Sequence, residues 1–206
     1  MKNLFLASIL FACISCNQQP AKTADSLSAS QDTLLNKPTI LHANSVINKS
    51  FIASNGEKFL RFEMVINASP EETWKLFSTE EGMKKWAAPV VKLDFKIGGL
   101  AQTNYDSTAR IGDKGTIPLG IINYLPNELI TYKVTLNEVF SEKCRNEDDN
   151  LQEIVQIESI GNNQTKLTST MFGWGTGSDW DKTYLFFERG NKWTYEQLAK
   201  LFAAEK

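Results

Sequence analysis

Enzyme chemistry needs groups that attack, donate or accept, and this chain of 206 residues is sparing with them. Its single histidine is His42, and its three cysteines are Cys13, Cys16 and Cys144. A nucleophilic Ser or Cys needs a base beside it, most often imidazole, and no His follows residue 42. Zinc sites built on His or clustered Cys fail on the same inventory. Carboxylates are what is left for acid–base work, and Glu63, Asp94, Asp106 and Glu138 fall on or beside predicted strands. A working one must point into a cavity with a raised pKa, and alternation puts Glu63 on the face opposite the core. Glu147-Asp148-Asp149 lacks the ligand alternation and glycine of a calcium loop and reads as part of a solvated polar loop, Glu142 to Asn150, with Cys144 an incidental thiol. Gly173-Trp-Gly-Thr-Gly177 lacks the lysine and spacing of a phosphate cradle and reads as the passage from a last strand into a helix. No catalytic residue, metal site or cofactor is assigned.

Charge and composition narrow the classes further. Lys plus Arg total 22 against 24 Asp plus Glu, a net charge of −2, with 42% hydrophobic and 22% charged residues. These values exclude a disordered chain and a polytopic membrane protein. Without a basic run, no electrostatic case for nucleic acid exists.

The N-terminus carries an address. Met1-Lys2-Asn3 precedes an apolar stretch from Leu4 to Ala12, too short for the roughly 20 residues that span a bilayer. A positive start, a short apolar core and small residues describe a secretory signal peptide, residues 1–15. Ser15-Cys16, followed by Asn17-Gln-Gln19, resembles a bacterial lipobox, with Ala12-Cys13 as the second choice. Lipidation of Cys16 would anchor an exported protein to a bacterial membrane. Residues 16–45 are rich in Ser, Ala, Thr, Gln, Asp and Asn and read as a polar tether, which includes His42.

From residue 46 to 206 the pattern is that of one domain. Val46 to Ala53 and Lys58 to Ile66 read as a hairpin about Asn55-Gly56, with Leu60, Phe62, Met64 and Ile66 facing the core. Ser69-Pro-Glu-Glu72 predicts a capping box, and the helix behind it buries Trp74, Leu76 and Phe77. A second short helix starts at Thr79, carries Met83 and Trp86, and stops at Pro89. Strands are predicted at Val90–Ile97, Leu100–Tyr105, Thr116–Tyr124, Leu129–Glu138, Leu151–Ile160 and Thr165–Trp174, joined as an antiparallel meander. A long helix capped by Ser178 closes the chain, its buried stripe Tyr184, Phe187, Asn191, Tyr195, Leu198 and Phe202 widened by Phe186 and Trp193. Gly190 interrupts it at a cost of about 1 kcal/mol relative to Ala.

Four segments in this order, Ala68-Ser-Pro-Glu-Glu-Thr-Trp74, Gly82-Met-Lys-Lys-Trp86, Ile97-Gly-Gly99 and Phe187-Glu-Arg-Gly-Asn-Lys-Trp193, resemble the START/polyketide-cyclase/birch-allergen-like (SRPBCC) superfamily, in its branch similar to the heat-shock-protein ATPase activator domain. The resemblance implies an α+β helix-grip fold, a curved antiparallel sheet wrapped around the C-terminal helix with an apolar cavity between them. Its members include lipid, sterol and polyketide binders, some enzymes and some chaperone activators, so fold does not decide function. The leading expectation is an envelope-anchored domain that binds a small hydrophobic ligand without catalysis. Trp86, Tyr105, Trp174, Tyr184, Phe187, Gly190 and Asn191 are its expected lining, with Gly190 allowing close approach and Asn191 orienting the guest. The alternatives are a cyclase-like or hydrolase-like enzyme using a cavity carboxylate or Tyr, and a protein-interaction module similar to chaperone ATPase activators.

Overall fold

The computed structural model describes residues 44–203, so the expectations for Cys13, Cys16 and His42 lie outside the described residues. Within them, nine antiparallel strands and a long C-terminal helix make an α+β helix-grip fold. The first predicted strand is divided into β1 (Ile47–Asn48) and β2 (Phe51–Ile52), both paired with β3 (Lys58–Ile66). Gly56 closes the turn at φ 86°, its N–H donating to the Ala53 carbonyl at 2.9 Å. Leu60, Phe62, Met64 and Ile66 are buried, whereas Glu63 meets Lys166 at 3.5 Å on the opposite face.

Helix α1 (Pro70–Ser78) begins with the predicted capping box. The Ser69 hydroxyl accepts from the Glu72 N–H at 3.2 Å, and Glu72 accepts from the Ser69 N–H at 2.8 Å. Backbone and hydroxyl donors at Ser69 hold the Glu72 carboxyl below its ordinary range. Leu76 and Phe77 are buried, and Trp74 packs at the margin, edge-on to Phe95 at 5.5 Å. Helix α2 (Glu80–Lys84) is capped by Thr79.

Strands β4 (Val90–Leu93), β5 (Leu100–Asn104), β6 (Ile117–Leu125), β7 (Leu129–Val134), β8 (Gln152–Gly161) and β9 (Gln164–Phe172) form the meander. Strand β3 docks beside β9, so α1 and α2 carry the chain to β4 at the far edge. Asn162 and Asn163, at φ 53° and 54°, make the tight turn between β8 and β9.

The sequence misleads in three places. The segment read as a polar loop is instead α3 (Glu142–Asn146), capped by Ser141, and a 3-10 turn at Asp148–Asn150. Cys144 is fully buried there, its Sγ 3.5 Å from the Thr183 hydroxyl. Asp148 is buried because it has partners: Oδ1 lies 3.1 Å from Lys133 Nζ, and Oδ2 accepts the Leu136 N–H at 2.7 Å. Secondly, α4 (Ser178–Lys200) is preceded by Gly177 at φ 100° as its cap, while Ser178 is the first helical residue. A Cβ on Gly175 would stand 2.1 Å from Trp180 Nε1, so the glycine-rich passage lets Trp180 pack against the backbone. Thirdly, Phe186 and Trp193 are half exposed at 50% and 52%. At 100° per residue they point away from the stripe of Tyr184, Phe187, Asn191, Tyr195 and Leu198 that faces the sheet.

Candidate functional site

A cavity of about 120 Å³ lies between α4 and the sheet. Its floor comes from inward positions of β5 to β8, including Thr103, Leu119, Tyr132, Glu153 and Val155. Phe77 and Met83 of the short helices and Trp86 close one side, and Phe187, Asn191, Thr194 and Tyr195 of α4 form the roof. Trp86 is held by its own hydrogen bond, Nε1–H to the Leu76 carbonyl at 3.0 Å, and its ring stacks on Tyr195 at 5.7 Å. Half-exposed Tyr105 stands at the rim, its hydroxyl 3.2 Å from that of Thr194. Four surface hollows are larger, at about 220, 350, 490 and 580 Å³, and the charged linings of the two largest include exposed Glu72, Lys75, Glu81 and Lys85 in one and Glu128 and Glu158 in the other.

The floor has an unusual row. Register places Ile121, Tyr132, Glu153, Met171 and Leu60 side by side across five strands. Four of these are buried, and Glu153 is partly buried among them. Glu153 Oε1 accepts from the Ser169 and Tyr195 hydroxyls, both at 2.6 Å. Burial pushes the Glu153 carboxyl above its ordinary value, and these two donors offset only part of that. Burial and the nearby Glu153 charge both push the Tyr132 and Tyr195 phenols upward, which keeps them protonated donors. The Tyr132 hydroxyl is buried and, among the described residues, has no hydrogen-bond partner. On the roof, Asn191 Nδ2 reaches only Met171 Sδ, at 3.0 Å, a weak acceptor.

Of the residues expected from sequence, Trp86, Tyr105, Phe187 and Asn191 line this cavity. Trp174 and Tyr184 do not; they pack on each other at 5.0 Å, with Trp180 6.4 Å from Trp174, around the first turns of α4. Gly190 is also outside the lining, and a Cβ there would meet nothing within 4 Å, so no close approach uses it. The carboxylates considered from sequence are engaged elsewhere: Glu63 with Lys166, Asp94 with Lys96, Asp106 with Thr108 and Glu138 with the Gly115 N–H. Glu153, Tyr132 and Ser169 escaped that reading. For Glu153 the signal was the alternation along β8, where Val155 and Ile157 face inward, with Leu151 just ahead of the strand, and Glu153 shares their parity. Among the described residues no group of three or more His, Cys, Asp or Glu could hold a metal ion.

A sequence model for "Activator of Hsp90 ATPase homolog 1-like protein" matches residues 67–203, from the end of β3 to the end of the described residues. The chain belongs to this family. The AHSA1-like domain includes both short helices, the meander and α4, and therefore every residue that lines the cavity. Solved structures share its fold at low identity. The Aha1 dimer from Colwellia psychrerythraea is 19% identical over 71% of this chain and 94% of its own, with a TM-score of 0.54. CalU16 from Micromonospora echinospora is 13% identical over 78% and 87%, with a TM-score of 0.55. XoxI from Bacillus cereus is 20% identical over 71% and 96%, with a TM-score of 0.52. Comparison with curated proteins yields no match.

Proposed function

We propose that this AHSA1-like domain binds a small amphipathic molecule in the cavity between α4 and the sheet. The observation that carries the reading is the lining itself: a mostly apolar chamber with Tyr132 and Glu153 side by side on its floor and Asn191 and Tyr195 on its roof. The apolar part of a guest would lie against Phe77, Met83, Val155 and Phe187, and its polar end toward Glu153, Tyr132 and Asn191. Mass spectrometry of small molecules carried through native purification tests this. Asn191→Leu, which fills the roof with an apolar branch and forfeits only a weak contact to Met171, is expected to reduce retention of any guest while the protein stays folded. Full retention in that variant would count against the site.

One observation favours a second reading, catalysis. Glu153 is an ionisable group on an enclosed floor with its pKa raised by burial, as a general acid or base requires. Turnover that is lost in Glu153→Gln while guest binding persists would support it. For location, we propose export and attachment through Cys16, on the strength of the N-terminal sequence pattern alone. Retention of a Cys16→Ala variant in the membrane fraction, with Cys13 also replaced, would remove that proposal.

A further inference from the structure

The polar floor narrows the chemistry of the guest, provided that the cavity is a ligand site as proposed above. Tyr132 is 2% exposed, lines the cavity and has a hydroxyl that meets no partner among the described residues. A buried O–H left unmatched is costly, so a group that accepts from it is favoured. Directly opposite on β8 stands Glu153. Its Oε1 is occupied by Ser169 and Tyr195, while Oε2 takes no hydrogen bond among the described residues. The floor thus offers one unused donor and one unused acceptor on adjacent strands.

A carboxylate guest could accept from Tyr132 but would bring a second negative centre against Glu153 in a desolvated site. An ammonium guest would need three acceptors where one carboxyl oxygen is unengaged. An ether or ketone would satisfy Tyr132 alone. A hydroxyl both accepts and donates, and so matches both groups at once. Size sets the second limit. A protein cavity of about 150 Å³ holds benzene, so this one, at about 120 Å³ with half-exposed Tyr105 in its lining, has room for no more than one ring. We infer that the cavity takes a small neutral molecule bearing a hydroxyl, of the phenol or cyclic-alcohol class, with its oxygen between Tyr132 and Glu153 and one ring against the apolar walls.

Calorimetric titration of the full chain with p-cresol, toluene, 4-methylanisole and 4-methylbenzoate tests this. The expected order is p-cresol tightest, by about tenfold over toluene, the ratio that one well-made hydrogen bond supplies. Tyr132→Phe is expected to lower p-cresol affinity and leave toluene unchanged. Glu153→Gln keeps an oxygen for Ser169 and Tyr195 while making the free position a donor, so it shifts preference from p-cresol toward 4-methylanisole. If toluene binds as well as p-cresol, or 4-methylbenzoate binds best, the hydroxyl assignment falls and the cavity stands as a site. If none of the four binds the wild-type chain, the ligand-binding reading fails and this inference with it.

Discussion

Glu153 faces inward on a strand whose other buried residues are Val155 and Ile157. Folding raises its pKa above the ordinary value of 4.5, because burial disfavours the charge more than Ser169 and Tyr195 favour it. Relative to the unfolded chain, the fold therefore disfavours the charged form of this carboxyl. That contribution to stability is fully present below about pH 4.5 and is lost as pH rises through the raised value. Glu153→Gln has no such proton to lose and still accepts from both hydroxyls. Its stability relative to wild type should move in favour of the variant as pH rises from the acid side toward neutrality, as denaturant midpoints across that range would show. A flat difference would mean that the carboxyl is as comfortable charged in the fold as in water. A carboxyl kept among buried neighbours at such a cost suits the binding role proposed for it.

The helices show which parts of the design are local and which are not. The capping box at Ser69 and the turn at Asn55-Gly56 were legible because each is made by neighbours in sequence. Helix α3 and the 3-10 turn after it were not, since their charged residues look like a loop until Lys133, fifteen positions before Asp148, appears beside it. Phe186 and Trp193 were misplaced for a similar reason: apolar character says nothing of side, and the angle about the axis sends them outward. The cavity was half legible. Its roof follows from the stripe of α4, whereas Trp174 and Tyr184 share that aromatic character and pack around the helix start instead. Gly190 is a removable flaw in the same helix. A methyl group there meets no atom within 4 Å, so Gly190→Ala should raise stability by about 1 kcal/mol without altering guest affinity. Chemical denaturation and p-cresol titration of that variant check both halves of the statement.

For the molecule as a whole, the fold follows from the order of elements, while the proposed guest would be specified by a handful of inward side chains on neighbouring strands and α4. A ligand that binds only the folded chain adds stability by mass action, about 2.7 kcal/mol at a hundredfold excess over its Kd. Rising p-cresol concentration should therefore raise Tm progressively in wild type, and less in Tyr132→Phe, when followed by circular dichroism. The sheet's margin has a consequence of another kind. β1 and β2 contribute two residues each and hang on β3, just after Asn44, whose backbone N–H donates to the Val65 carbonyl at 2.8 Å. A pull applied upstream of Asn44 would therefore break its bonds to Val65 and Phe202 first and then peel these two stubs away one rung at a time. The row from Ile121 to Met171 lies on the inner strands beyond β3, so the chamber would outlast the loss of that seam.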